Sequence, residues 1–345
     1  MMRILAVIAV SMPFALAADK KLDCAACHRK QAEAFHATGM AQALEPAARG
    51  RILSSHKKLE FAQGDYKYSI VRDGETSWYR VYNAREEFKS QEFKSKIGWA
   101  FGLGAAGQTY LLERDGKWYE GRVSYYKDTD SLDLTVGARP DPPRSLEEAV
   151  GRELSIKGAS ECFSCHTTGS MTAGVLKPEL LTPGIQCQRC HVNADAHQAG
   201  FSDAKAAKIT PVKLGAFAAE ETSEFCGQCH RTWQQIAVDG PHNITNVRFQ
   251  PYRLTNSKCY DAGEARLRCT TCHDVHNEAA QPVSFYDAKC QACHAPGQKA
   301  GAHLCKIAKQ DCVTCHMPKV QIDSAHNAFT DHWIRIARKG EAPPY

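Results

Sequence analysis

Residues 269–273 read CTTCH, and the segment continues through Asp274 and Val275 to a second histidine, His276. In Cys-x-x-Cys-His, two cysteines can form thioethers with the vinyl groups of a haem, and the adjacent histidine can bind its iron. One helical turn places positions i, i+3 and i+4 on the same face, so all three side chains can reach one porphyrin. The stretch therefore predicts a covalently attached haem c, and it raises the question of what His276 does.

The same motif occurs seven times, and the copies are called the first to the seventh motif in chain order. They comprise Cys24, Cys27 and His28; Cys162, Cys165 and His166; Cys187, Cys190 and His191; Cys226, Cys229 and His230; Cys269, Cys272 and His273; Cys290, Cys293 and His294; and Cys312, Cys315 and His316. Zinc is an alternative because Cys-x-x-Cys pairs also build tetrahedral thiolate sites, but zinc gives no reason for a histidine after every second cysteine. Disulfides within seven Cys-x-x-Cys pairs would close only very short loops, which is an unusual way to stabilise a fold. We expect seven covalently attached haems.

Eight of the fifteen histidines lie outside the motifs, which nearly equals the number of second axial ligands that seven haems need. The candidate distal ligands are His56, His197, His242, His276, His303, His326 and His332, and Met40 competes with His36 near the first motif. Three residues span roughly 10 Å at most, too little for His276 to reach the opposite face of the haem held by His273. If His276 binds iron, it binds the iron of a neighbouring haem.

The chain begins MMRILAVIAVSMPFALA, which has a positive charge, a short apolar run and a small-residue ending. This pattern predicts a signal peptide over residues 1–17, and nothing later is long enough for a transmembrane segment. We expect export to the periplasm or the cell exterior. The formal charge of +5 does not indicate a nucleic-acid partner, because each ferric haem with ionised propionates adds on the order of −1.

Three parts follow the signal peptide. Residues 18–56 form an N-terminal segment with the first motif, residues 57–140 a β-rich insert without haem motifs, and residues 141–345 a hexahaem domain. Alternating apolar and polar residues around Asp73-Gly74 and around Asp115-Gly116 predict β-hairpins. Because haems would supply most of the core elsewhere, we expect a mainly α-helical and irregular multihaem cytochrome c fold with low regular secondary structure, plus a small β-rich insert.

Two further features have competing interpretations. GLGAAG at 102–107 fits the dinucleotide-binding pattern, but a strand follows it instead of a helix, which favours a glycine-rich bend between strands. The two remaining cysteines, Cys259 and Cys305, would favour a disulfide in an oxidising compartment. Unpaired thiols, or a sulfur ligand to a haem, are the alternatives.

In CQRCH with His197, in CHDVH, in CHMPK at 315–319 and in the closing FTDH, the sequence resembles the multihaem cytochrome c superfamily of pentahaem nitrite reductase, hydroxylamine oxidoreductase and the tetrahaem cytochrome of ammonia oxidisers. The resemblance implies mostly bis-histidine haems in stacked and edge-on pairs. It also implies a histidine where this chain has Met40. The nitrite reductases replace one motif histidine by lysine, and no Cys-x-x-Cys-Lys occurs here. Hydroxylamine oxidoreductase crosslinks a tyrosine to its haem, and nothing in the sequence selects such a tyrosine.

These features favour an electron carrier that exchanges electrons with redox partner proteins or a quinol-linked donor. One alternative is a reductase or oxidase of a small nitrogen or sulfur oxyanion at one open haem, where Arg248, Tyr252 and Arg253 could hold an anion. Another is a subunit of an extracellular cytochrome filament. The count of spare histidines favours the electron carrier.

Overall fold

A computed structural model describes residues 23–85, 87, 92–202, 209–297, 304–338 and 340–344 of the chain. The predicted signal peptide over 1–17 and the candidate ligand His303 lie outside the described residues. Within these residues, no helix combines the length and the apolar character needed to cross a membrane.

One antiparallel sheet of ten strands dominates the first 155 residues, in the order β10-β7-β6-β5-β4-β3-β2, with β1 beside β5 and with β8 between β6 and β9. The strands are β1 (Leu44–Pro46), β2 (Lys58–Gln63), β3 (Tyr66–Asp73), β4 (Thr76–Asn83), β5 (Glu92–Gly104), β6 (Gly107–Arg114), β7 (Lys117–Gly121), β8 (Val123–Tyr126), β9 (Ser131–Leu134) and β10 (Gly151–Leu154). Both predicted hairpins are confirmed. Asp73 pairs with Thr76 across the β3–β4 turn, and Arg114 pairs with Lys117 across the β6–β7 turn.

The sheet forms because its strands alternate in burial with the period of two that pleating requires. In β4, Tyr79 and Val81 are fully buried, whereas Trp78 and Arg80 on the opposite face are only half-buried. Tyrosines and branched residues from β3 to β8 build the main core, which includes Tyr68, Ile70, Tyr79, Val81, Phe93, Ile97, Tyr110, Leu112 and Val123. This core contains no motif residue, so the sheet has an apolar interior of its own.

The expected fold class is wrong. The structure has 36% helix and 26% strand, with a large sheet, and it is not mainly helical. The prediction was based on the two clearest hairpins. It did not include the 13-residue strand β5 or the flanking strands β1 and β10. β1 and β10 come from outside residues 57–140 and pair with β5 and β7, so the sheet is neither small nor confined to that segment.

The glycine-rich stretch at 102–107 is the predicted bend between strands. β5 ends at Gly104 and β6 begins at Gly107, with a register shift between Phe101 and Gly104. Gly102 has a φ of 85°, and a Cβ there would lie 2.8 Å from the carbonyl oxygen of Gly107. A residue without a side chain is therefore required at this close approach of two backbones.

Outside the sheet, the described residues form short helices and three two-stranded pieces of sheet. The helices are α1 (Arg29–His36), α2 (Arg51–Ser55), α3 (Leu146–Val150), α4 (Ile156–His166), α5 (Cys187–Cys190), α6 (Ala194–Ser202), α7 (Ala219–His230), α8 (Trp233–Asp239), α9 (Gln250–Thr255), α10 (Cys269–Cys272), α11 (Val283–His294) and α12 (Cys312–His316). The short strands are β11 (Thr167–Thr168), β12 (Met171–Thr172), β13 (Val175–Leu176), β14 (Thr182–Pro183), β15 (Lys319–Ile322) and β16 (Asn327–Thr330). Pairing joins β11 to β14, β12 to β13 and β15 to β16.

Phe163 fixes helix α4 to the sheet. Phe163 lies between the two cysteines of the second motif in sequence, and its side chain is fully buried. The ring lies 5.4 Å from that of Phe101 and 5.3 Å from that of Trp118, at steep angles that suit aromatic pairs. The sheet therefore positions the second motif directly.

Because the sheet has its own core, replacing a core ring should destabilise it strongly. Phe93, which is 2% exposed, loses its packing in Phe93→Ala, and we expect the free energy of unfolding to fall by about 3 to 5 kcal/mol. Guanidinium unfolding followed by far-ultraviolet circular dichroism measures the change. Lys96→Ala on the solvent face of the same strand is the control, with an expected change within about 0.5 kcal/mol. Equal effects of both substitutions would contradict this assignment of the core.

Candidate haem-binding site

Each motif forms a single helical turn or ends a helix. The second, fourth and sixth motifs are the last residues of α4, α7 and α11, and the third, fifth and seventh form α5, α10 and α12. In the first motif the His28 amide donates to the Cys24 carbonyl at 2.8 Å, and the His273 amide does the same to Cys269 at 2.9 Å. This one-turn geometry brings both sulfurs and the imidazole to one side of the backbone, as haem attachment requires.

All sixteen cysteines have free thiols, so no motif is closed by a disulfide. Cys259 and Cys305 are likewise unpaired and exposed, and the disulfide that the sequence favoured is therefore wrong. In the described part of the chain, no group of three or more His, Cys, Asp or Glu side chains could hold a metal ion.

Three of the motif histidines face a histidine from outside the motifs. The facing rings have centroids 6.1 to 6.3 Å apart: His28 with His197, His191 with His276, and His273 with His332. Two imidazoles that bind one metal ion from opposite sides, each nitrogen at about 2 Å, have centroids about 6 Å apart. The three separations therefore suit three shared axial positions. His276 lies at the third motif and not at its own, which agrees with its limited reach.

The same three outer histidines are held through Nδ1. Nδ1 of His197 donates to the Ile209 carbonyl at 2.7 Å, and Nδ1 of His332 donates to the Thr330 carbonyl at 3.0 Å. Nδ1 of His276 lies 3.3 Å from the Asp274 carboxylate. Such contacts fix the tautomer and leave Nε2 with its lone pair, which is the arrangement of most metal-bound histidines.

The motif histidines show the same anchoring. Nδ1 of His166 donates to the Ala43 carbonyl, and Nδ1 of His316 to the Arg335 carbonyl, both at 2.9 Å. Burial lowers the pKa values of His166 and His273, and it lowers the pKa of His332 to about 4. These imidazoles are neutral near pH 7, as a metal ligand must be.

His56 and His326 use Nε2 differently. Nε2 of His56 lies 3.0 Å from the carboxylate of Asp130, and Nε2 of His326 lies 2.8 Å from that of Asp133. Both carboxylates belong to the β8–β9 hairpin and its turn, so these histidines tie other segments to the sheet. In both histidines, Nε2, the nitrogen that a haem iron would bind, already contacts a carboxylate.

The remaining candidates have no facing motif ring in the described residues. His242 is exposed beside the cis peptide bond between Gly240 and Pro241. Met40 is half-buried, and its carbonyl accepts from the amide of Ile185. Since His197 faces His28, the first motif has a histidine partner without Met40.

The thiols connect the motifs into one path. In six pairs of cysteines from different motifs, one thiol lies close enough to shift the pKa of the other. These pairs link the first motif to the third, the third to the fourth, the second to the fourth, the fourth to the fifth, the fifth to the sixth and the sixth to the seventh. The thiol pairs are Cys24 and Cys187, Cys165 and Cys229, Cys226 and Cys269, Cys290 and Cys312, then Cys190 and Cys226, and Cys272 and Cys290. The path is 1–3–4–5–6–7, and the second motif branches from the fourth.

A cavity of about 410 Å³ lies between the second motif and the sheet. Cys162, His166 and Arg248 line it together with Phe101 and Leu111 from the sheet. Among the described residues that line it, there is no second histidine and no methionine or lysine. Burial lowers the pKa of Arg248, whose guanidinium lies over the ring of Phe329. The sequence selected Arg248 as an anion-binding candidate, but it gave no sign that the sheet forms the opposite wall.

Arg253 and Tyr252 do not join Arg248 at this cavity. Neither Arg253 nor Tyr252 lines the cavity. Arg253 is instead buried in an ion pair with Asp331. Sequence reasoning also missed Phe163 and the carbonyls that hold the imidazoles. The apolar residue between two motif cysteines was the one available signal for Phe163, whereas the carbonyl contacts are long-range and leave no local pattern.

The residues fit haem c. Each motif offers two free thiols and an imidazole on one side of a helical turn, and in three motifs a second anchored imidazole faces the first. These are the donors that a covalently bound, six-coordinate haem uses. The fit rests on the chemistry and spacing of these side chains.

The comparisons agree with this donor set. A family model described as cytochrome c554 and c-prime matches residues 138–192, which contain the second and third motifs. The match supports a multihaem c-type cytochrome with covalently bound haem and a role in electron transfer. It covers a small part of the chain, and it does not select any particular member of the superfamily. No curated protein and no solved structure matches the chain.

The haem count can be measured by mass. The mature protein should carry seven haems, and Cys312→Ala with Cys315→Ala should remove one of them because both thioether positions of the seventh motif are lost. Intact-protein mass spectrometry after denaturation reports the covalent load. Cys259→Ala with Cys305→Ala, which removes two thiols outside the motifs, should leave the load unchanged. A loss of haem in that control would show that attachment does not follow the motifs.

Proposed function

We propose that the chain is an exported heptahaem c-type cytochrome that transfers electrons between redox partners. The observation that carries the proposal is the connected arrangement of the seven attachment motifs, six along one path and the second as a branch from the fourth. Haem c supplies an iron that gains and loses one electron. The polypeptide supplies the order, spacing and ligands of these centres.

The two ends of the path are the most accessible. Motif cysteines are exposed in the first, sixth and seventh motifs, at Cys27, Cys293 and Cys315, and are half-buried in the others. This pattern supports exchange with a donor at one end and an acceptor at the other. Redox partner proteins, or a quinol-linked donor, are the partners that such ends would serve.

We further propose that His197, His276 and His332 are the distal ligands at the first, third and fifth motifs. Ring separations near 6 Å and Nδ1 anchoring support all three assignments. In two of them, the segment that carries one motif supplies the ligand of another. His197 follows the third motif and faces the first, and His276 follows the fifth and faces the third. The first and third motifs, which are neighbours on the path, are thereby held close, and the fifth motif is tied to the third across the fourth.

The ligand assignment is tested by carbon monoxide binding to the reduced protein and by low-temperature EPR of the oxidised protein. His197→Ala, His276→Ala and His332→Ala should each add one high-spin, carbon monoxide-binding haem, because each removes one axial ligand. His56→Ala and His326→Ala are matched controls, and their Nε2 atoms already face carboxylates. New carbon monoxide binding in the controls, or none in the three variants, would contradict the assignment.

The cavity at the second motif supports a second candidate function, the reductase or oxidase of a small nitrogen or sulfur oxyanion. The described lining offers His166 as the one histidine and Arg248 as a cation, and the one acidic side chain in it, Glu120, accepts hydrogen bonds from Arg152. A guanidinium away from bulk water binds an oxyanion more strongly than an exposed one does. The branch position of this motif also suits a site where electrons leave the main path.

Nitrite, hydroxylamine and sulfite are the probes for this second candidate. We expect one of them to perturb the visible spectrum of the wild type, and Arg248→Gln to weaken its apparent affinity by about tenfold to a hundredfold. Arg231→Gln is the control, because Arg231 also lies over an aromatic ring, that of Phe249, but does not line the cavity. A wild type that responds to none of the three compounds would leave electron transfer as the function.

A further inference from the structure

We propose that the buried ion pair of Arg253 and Asp331 is a positioning device that holds His332 at the fifth motif. The inference deepens the proposed function and rests on the ligand assignment of His332. It concerns residues of α9 and of the irregular segment after β16, neither of which belongs to a motif.

The ion pair is fully enclosed and complete in its hydrogen bonds. The side chains of Arg253 and Asp331 are 1% and 0% exposed. Two parallel bonds join them, from Nε to Oδ1 at 2.8 Å and from Nη2 to Oδ2 at 2.7 Å. The remaining nitrogen of Arg253, Nη1, donates to the Asn246 side chain at 3.1 Å and to the Pro344 carbonyl at 2.7 Å.

Asp331 also organises the residues that follow it. It accepts from the Trp333 amide at 3.0 Å and from Arg335 at 2.5 Å, and the guanidinium groups of Arg253 and Arg335 both lie over the Trp333 ring. The two bonds from Arg253 and the bond from the Trp333 amide fix the orientation of this carboxylate within the turn of backbone.

His332 lies between the two points where this backbone is fixed. On one side is the Asp331 carboxylate, and on the other the Ser257 hydroxyl, which accepts from the Ile334 amide at 2.8 Å and lies 3.4 Å from the His332 carbonyl. No regular helix or strand contains residues 331–338. We infer that these side-chain contacts direct the His332 imidazole toward His273, and the two ring centroids lie 6.2 Å apart.

Stability alone does not account for such a pair. Enclosing two charges costs several kcal/mol of solvation, and buried pairs can often be replaced by apolar residues without loss of stability. What a bidentate pair offers is a fixed geometry, since both bonds form only in one relative orientation. A ligand in irregular backbone needs that geometry, because its nitrogen must stay within a few tenths of an ångström of its position.

The test uses the full-length protein loaded with haem. Arg253→Met with Asp331→Asn removes the bidentate pair, and the amide introduced in place of the carboxylate keeps an oxygen for the Trp333 backbone and for Arg335, whose side chain is 18% exposed. We expect the wild-type haem load by mass, but an additional high-spin EPR signal and an additional equivalent of bound carbon monoxide, as in His332→Ala. Arg80→Met with Glu92→Gln is the matched control, because it removes a bidentate pair in the sheet and should change neither readout.

A double variant with full haem load and unchanged carbon monoxide binding would overturn the proposal, because the pair would then be structural only. Should the double variant fail to load seven haems, Arg253→Lys decides the case. It keeps the charge but not the two parallel bonds, so partial carbon monoxide binding supports the proposal and none overturns it. If His332→Ala itself opens no haem, the failure lies in the ligand assignment, which separates it from a failure of the positioning role.

Discussion

The pairing of two imidazoles from distant parts of the chain is the constraint on which the rest of the structure depends. His28 and His197 are 169 residues apart in sequence, yet their rings lie 6.3 Å apart. A helical turn of one motif can fix only its own histidine, so the facing ring must be delivered by tertiary structure. If a haem iron joins the two rings as proposed, each such pair would act as a crosslink that closes a long loop, and closing long loops costs little more entropy than closing short ones.

The segments that carry motifs can be short because they rarely stand alone. His197 and His276 each follow one motif and face another, so one stretch of backbone determines the place of two attachment sites. This shared use explains why helices of four residues, such as α5 and α10, suffice where isolated helices of that length would not form.

The sequence predicts those parts of the molecule that depend on local pattern. The motifs, the turns at Asp73-Gly74 and Asp115-Gly116, and the bend at 102–107 depend on residues within a few positions of each other. The extent of the sheet depends on the short strands β1 and β10, which have no signal apart from their partners β5 and β7. Ligand choice is equally non-local. The sequence does not separate His326 from His332, and only the fold places an acid at Nε2 of His326 and the ring of a motif histidine 6.2 Å from the ring of His332.

The sheet also changes how the second motif must be understood. Haems can provide much of the apolar interior of a haem-dense chain, and in that case each attachment site is only as rigid as its neighbours. Phe163 instead places the second motif against a core of tyrosines and branched residues that needs no cofactor. Its surroundings are therefore determined by packed protein on the sheet side, and Arg248 faces a wall that does not depend on how the other motifs are filled. A preorganised polar group beside the haem is what the second candidate function needs, and Arg248 in the lining of this cavity is such a group.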